Sequence, residues 1–176
     1  MKHKLLSAFV LAATAMVAQV ASAADGTITF TGSITDTTCS INGGATGSFA
    51  VVLPQVSTSS MAGVNVTSGR TPFKIALTGC TVQAGKVHAY FESGAAVDTV
   101  TGNLKNTGAA QGVQIRLLNA DESKINVGNA DAAQNSQVAD LVAGAATLPY
   151  FAEYVRTGDI TAGSVNSAVM YSIVYQ

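Results

Sequence analysis

The sequence predicts an all-β sandwich, and three observations carry that prediction. Apolar residues recur at every second position in several short stretches, the spacing of strands with one buried and one wet face. Clusters of Gly, Asn, Pro, Ser and Thr punctuate those stretches, as turns punctuate strands. No long helical period appears in the chain beyond residue 23.

The first 23 residues are set apart by their chemistry. Lys2, His3 and Lys4 make a positive start, Leu5 to Val20 is an apolar run, and Ala21-Ser22-Ala23 is a small-x-small cleavage site. This is the pattern of a secretory signal peptide, so 1–23 is expected to be removed on export. The 153 residues that follow suit one domain with a core of its own. They carry seven basic and ten acidic residues, a net charge of −3, with no basic stripe for nucleic acid and no polybasic membrane patch. Cys39 and Cys80, 41 residues apart in an exported chain, are expected to form a disulfide.

The first strand region begins almost at once. Gly26, Ile28, Phe30, Gly32 and Ile34 alternate with Thr and Ser, and strand character continues through Cys39 to Ile41 before a turn at Asn42-Gly43-Gly44. Ser48 to Leu53 is a second strand that ends at Pro54, a residue unable to donate to a central ladder. Ser57 to Gly69 reads as loop. Phe73, Ile75 and Leu77 then alternate toward Cys80, and Val87, Ala89 and Phe91 form one face of the next strand. Residues 93–112 are turn-rich with a short strand over 102–105, Val113, Ile115 and Leu117 mark another strand, and 119–137 reads as loop. Leu148 to Arg156 is a strand, Thr157-Gly158-Asp159 a turn, and Ser167 to Gln176 a terminal strand with Val169, Tyr171, Ile173 and Tyr175 on one face.

Catalytic chemistry has little to draw on. His88 is the one histidine beyond the signal, and it lies among alternating strand residues. The glycines near Gly43 and Gly85 lack the spacing of phosphate-binding loops, and Asp121, Glu122 and Asp131 do not form a spaced calcium loop. Two cysteines and one histidine are too few for structural zinc, so no metal and no cofactor is expected. Asn65-Val66-Thr67 matches a glycosylation sequon, a pattern common by chance. The terminal strand poses a different problem. Ile160 to Gln176 is uncharged, β-branched and aromatic, an aggregation hazard unless something covers its edge.

The residues that remain resemble the chaperone–usher fimbrial subunits, most closely the type 1 major pilins. The resemblance is carried by Gly26-Thr-Ile-Thr-Phe-Thr-Gly32, Thr38-Cys39-Ser40, Leu77-Thr-Gly-Cys80, and an ending with Gly163 fourteenth and Tyr175 second from the last residue. It implies an incomplete immunoglobulin-like sandwich lacking its final strand, completed by a donated strand. Residues 24–38 would be the donor extension, with Gly26, Ile28, Phe30, Gly32 and Ile34 facing the groove, and 39–176 the pilin domain. Gly163, Val169, Tyr171, Ile173 and Tyr175 would form the groove strand offered to a periplasmic chaperone. The implied partners are identical or related pilins, that chaperone and an outer-membrane usher, with no nucleic acid and with a host receptor met only indirectly. The chain is thus expected to be a non-enzymatic building block of an extracellular fimbrium supporting adhesion, exported through the periplasm. The alternative is a minor fimbrial subunit or adhesin-type tip component.

Overall fold

The computed structural model describes Thr29, Thr31, Gly32, Ile34, residues 39–44 and residues 46–176. The expected signal segment 1–23 and the donor residues Gly26, Ile28 and Phe30 lie outside the described residues. Two units divide the chain, Met1–Thr35 and Asp36–Gln176, and every strand named below belongs to the second. In the first, Gly32 and Ile34 are exposed, Ile34 completely.

Nine strands are found among the described residues: β1 (Ser40–Ile41), β2 (Thr67–Thr78), β3 (Ala84–Phe91), β4 (Val97–Asp98), β5 (Asn103–Lys105), β6 (Gln111–Asn119), β7 (Val138–Val142), β8 (Ala146–Thr161) and β9 (Tyr171–Tyr175). They form two sheets, β1-β2-β8-β6-β5-β4 and β7-β3-β9, with every pair antiparallel. The alternation read from the sequence decides which side chains meet between them. Ile75 and Leu77 of β2, Leu117 of β6 and Leu148 and Tyr150 of β8 face Val87, Ala89 and Phe91 of β3. Tyr150 is the aromatic centre, 5.5 Å from both Phe73 and Phe91. Cys39 and Cys80 are bonded and tie the start of the domain to the end of β2.

Several boundaries differ from the sequence reading. Thr67 to Gly69, read as loop, already belong to β2, where Thr67 and Ser68 pair with Val155 and Tyr154 of β8 and Gly69 falls in a register shift before Thr71. The turn expected at Thr157-Gly158-Asp159 lies inside β8, which runs on to Thr161. Its turn residues instead serve a β-bulge, where the register against β6 shifts between Gln111 and Val113. Gly112 there has φ +67°, and a Cβ on it would stand 2.3 Å from the Asp159 carbonyl oxygen. β7 had no counterpart in the sequence reading. It joins β8 through Ala143-Gly144, both with positive φ, the backbone of a two-residue hairpin turn. The loop 119–137 holds one 3-10 turn at Asp131–Ala133 and is pinned by the fully buried Gln134. The Gln134 side chain accepts from the Phe91 N–H and donates to the Phe91 carbonyl, imitating a neighbouring strand at that point.

His88 is buried on β3, and its Nε2 lies 2.7 Å from Asp131 of that loop. Glu153 is nearly fully buried on the other face of the large sheet, where it accepts from Arg70 Nε at 2.9 Å with Arg116 3.8 Å away. Both groups serve the packing of loop and strands. Among the described residues no group of three or more His, Cys, Asp or Glu side chains could hold a metal ion.

A strandless cleft between two unpaired edges

The site grows out of two stretches that have strand chemistry and lack a strand's partner. The first is β9. It pairs with β3 along one edge, Phe91 opposite Tyr171 and Val87 opposite Tyr175, and the pairing is carried outward by Glu92 N–H to the Met170 carbonyl and by mutual bonds between Lys86 and Gln176. Its other edge faces no strand among the described residues. The second is the stretch 46–53. Val51 and Leu53 are partly buried and Val52 is exposed, the alternation of a strand, while Phe49 is more exposed and lines the cleft. Yet no backbone–backbone hydrogen bond among the described residues holds any part of 46–56. The expected strand over 48–53 is therefore an extended segment without a ladder.

Between these edges lies an apolar cleft of about 680 Å³. Ile75, Phe91, Leu117 and Ala152 floor it, so it opens directly onto the hydrophobic core. Phe49, Val51 and Leu53 form one wall, and Val169, Tyr171 and Ile173 the other. Unpaired backbone groups and uncovered apolar side chains are each unfavourable, and an open sheet edge combines both.

Three tyrosine contacts define the walls. The Tyr171 hydroxyl donates across the cleft to the Gly47 carbonyl at 2.6 Å. The Phe49 ring sits 6.2 Å from both Phe73 and Tyr171, edge-on to the latter, and so leans over the same end. The Tyr175 hydroxyl lies 3.1 Å from Cys39 Sγ and must be the donor, since a disulfide sulfur carries no proton. Burial holds the Tyr171 and Tyr175 phenols above the ordinary tyrosine range. Glu92 is the one charged residue lining the cleft among those described, and its carboxylate accepts from Ser172 Oγ at 2.5 Å.

Of the residues singled out in the sequence, Val169, Tyr171, Ile173 and Tyr175 come together on the core-facing side of the terminal stretch. Met170 and Val174 alternate with them, and Met170 is largely exposed. Gly163 lies apart from this cleft. Its backbone presses on the 108–110 segment, and a Cβ on it would stand 2.4 Å from the Ala110 nitrogen. What Gly163 provides is close backbone approach, ahead of the Ala110 N–H bond to the Ser164 carbonyl. The opposite wall, Phe49, Val51 and Leu53, was missed as a site. Its alternation was visible, but nothing local says that a strand will lack its neighbour.

Comparison with known proteins agrees with this architecture. Residues 53–176 match the family described as FimA, type-1 fimbrial protein, A. The chain is 46% identical over 162 residues to the major fimbrial subunit SMF-1 of Stenotrophomonas maltophilia, covering 88% of this chain and 95% of that one. It is 45% identical over 159 residues to the F17 fimbrial protein of Escherichia coli, covering 86% and 88%. In fold it is similar to the P pilus rod subunit PapA, with a TM-score of 0.59 at 18% identity over 78% of this chain and 99% of that one. The incomplete sandwich, its uncovered cleft and these relatives converge: the chain belongs to the type-1 fimbrial protein family and is a structural subunit of extracellular pili.

Proposed function

We propose that the cleft is the seat of a β-strand supplied in trans, and that residues Gly26 to Ile34 of a neighbouring copy are that strand. One observation carries the reading: the unpaired edge of β9 and the unpaired stretch 46–53 face one another across an apolar cleft open to the core. An extended peptide laid between them hydrogen-bonds to both and fills the cleft with alternate side chains. The segment 24–38 has the matching pattern. Ile28, Phe30 and Ile34 are its knobs, each contributing about 1.5–3 kcal/mol if fully buried, and Gly26 and Gly32 pass where backbones come close. Ile34 is uncovered in its own chain, as a residue kept for another molecule would be.

On this reading residues 1–23 direct export, 24–38 form the donor extension and 39–176 the acceptor domain. A periplasmic chaperone fills the cleft until an outer-membrane usher exchanges it for the next subunit's extension. The role is scaffolding without catalysis. The test is Phe30→Asp. It should abolish fibres seen by electron microscopy while the chain still co-purifies with its chaperone, because it damages the donor and leaves the acceptor cleft untouched. Normal fibres from that variant would overturn the proposal.

A further inference from the structure

The acceptor domain has two ends. At one end lie the Cys39–Cys80 disulfide, the 143–144 turn and Tyr175. At the other lies a second cleft of about 560 Å³, lined by Leu53, Val56, Met61, Tyr154, Ile160 and Val165. Leu53 lines both clefts, so the second continues the first beyond the start of β9. It has its own apolar cluster, in which Met61 and Tyr154 are buried and Val56, Ile160 and Val165 are only partly covered.

We propose that this second cleft docks the body of the same neighbouring copy whose extension fills the first cleft, through the disulfide end of that body; the inference rests on the donated-strand reading. Direction and length carry it. Every strand pair described in the domain is antiparallel. A donated strand that keeps that order beside β9 enters near Tyr175 and leaves toward Val165. Gly26 to Ile34 spans eight steps of about 3.4 Å, roughly 27 Å, and Tyr175 back to Ser167 spans the same. Ile34 therefore falls beside Ser167, which lines the first cleft two residues beyond Val165 of the second. Only Thr35, Asp36, Thr37 and Thr38 then separate it from Cys39. The five steps from Ile34 to Cys39 reach at most about 18 Å, so the disulfide end of the donor arrives over the acceptor's second cleft.

That end is furnished for the contact. Val82, two residues from Cys80, is 40% exposed, and Val142 is 66% exposed. The Cys80 N–H bond to the Gly144 carbonyl and the Gly144 N–H bond to the Gln83 carbonyl hold the two valines' turns side by side. Apolar residues thus stand uncovered on the donor where a partly covered apolar cleft stands on the acceptor.

The test uses fibres of the full chain carrying Val82→Cys together with Val165→Cys, treated with a short bismaleimide. A ladder of covalent oligomers is expected from the double variant, and none from either single variant. In wild-type chain, amides of 55–59 should exchange at least tenfold more slowly in the fibre than in the chaperone-bound subunit. The exchange measurement decides the matter should the double variant fail to assemble. Fibres that give no ladder and unchanged exchange at 55–59 overturn this contact while leaving the donated strand intact. Normal fibres from Phe30→Asp would instead remove the donated strand and this inference with it.

Discussion

Two residues, Tyr171 at the cleft and Gly163 away from it, show how single positions set the properties of the domain. Tyr171 spends its hydroxyl on Gly47, so the two walls are latched at one end before any strand arrives. Tyr171→Phe removes one hydrogen bond whose acceptor is partly exposed. It should destabilise the lone subunit by about 0.5–1.5 kcal/mol in urea unfolding, with the fold retained. Gly163 acts by what it lacks. Gly163→Ala places a methyl 2.4 Å from the Ala110 nitrogen, against backbone that has no rotamer to yield. A loss of about 2 kcal/mol or more is expected, seen as a lower urea midpoint or reduced periplasmic yield. An unchanged midpoint would mean that the 108–110 segment moves aside freely.

Among the elements, β9 carries the cleft and most of what was legible. Alternation along the terminal stretch marks Val169, Tyr171, Ile173 and Tyr175 as one face, because period two is a local property of strands. The apolar Met170 and Val174 left open which face lines the cleft, and it is packing that turns the first set toward the core. The β8 turn was misread for the same reason. Gly158 and Asp159 have turn chemistry, but tertiary pairing with β6 turned that chemistry into a bulge. β7 escaped notice because Val138, Leu141 and Val142 do not alternate cleanly around Asp140, and its pairing with β3 is long-range. The second wall at 46–53 is the deepest case, since the missing neighbour is a property of the sheet and not of the stretch.

β9 also makes a pH prediction. Burial favours the neutral phenols of Tyr171 and Tyr175, so their folded pKa values lie above the unfolded value of about 10. The stability linked to them is complete below about pH 10 and is lost as pH rises from there through the folded values. Absorbance titration at alkaline pH should show late-ionising tyrosines in the folded chain, and later ones still when the cleft is occupied. The disulfide acts on a longer stretch. It closes a loop of 41 residues, and its removal by Cys39→Ser with Cys80→Ser should lower stability by about 4 kcal/mol on the chain-entropy estimate. Chemical denaturation of the two chains measures it.

Among the described residues the sandwich leaves the outer edge of β9 without a partner, and on the proposed reading polymerisation covers it. Family membership follows from the match over residues 53–176 and from the relatives, whereas on the proposed reading the direction of growth follows from which edge is open and where the extension is rooted. The most direct measurement takes the Phe30→Asp chain, whose own extension is disabled, and adds a peptide of residues 24–38. One peptide is expected to bind per chain, with slowed amide exchange at 46–53 and along the outer edge of 171–175, and no binding by the same peptide carrying Phe30→Asp. A chain whose 171–175 edge is already fully protected without peptide, or a peptide that leaves it unprotected, would contradict the donated-strand reading.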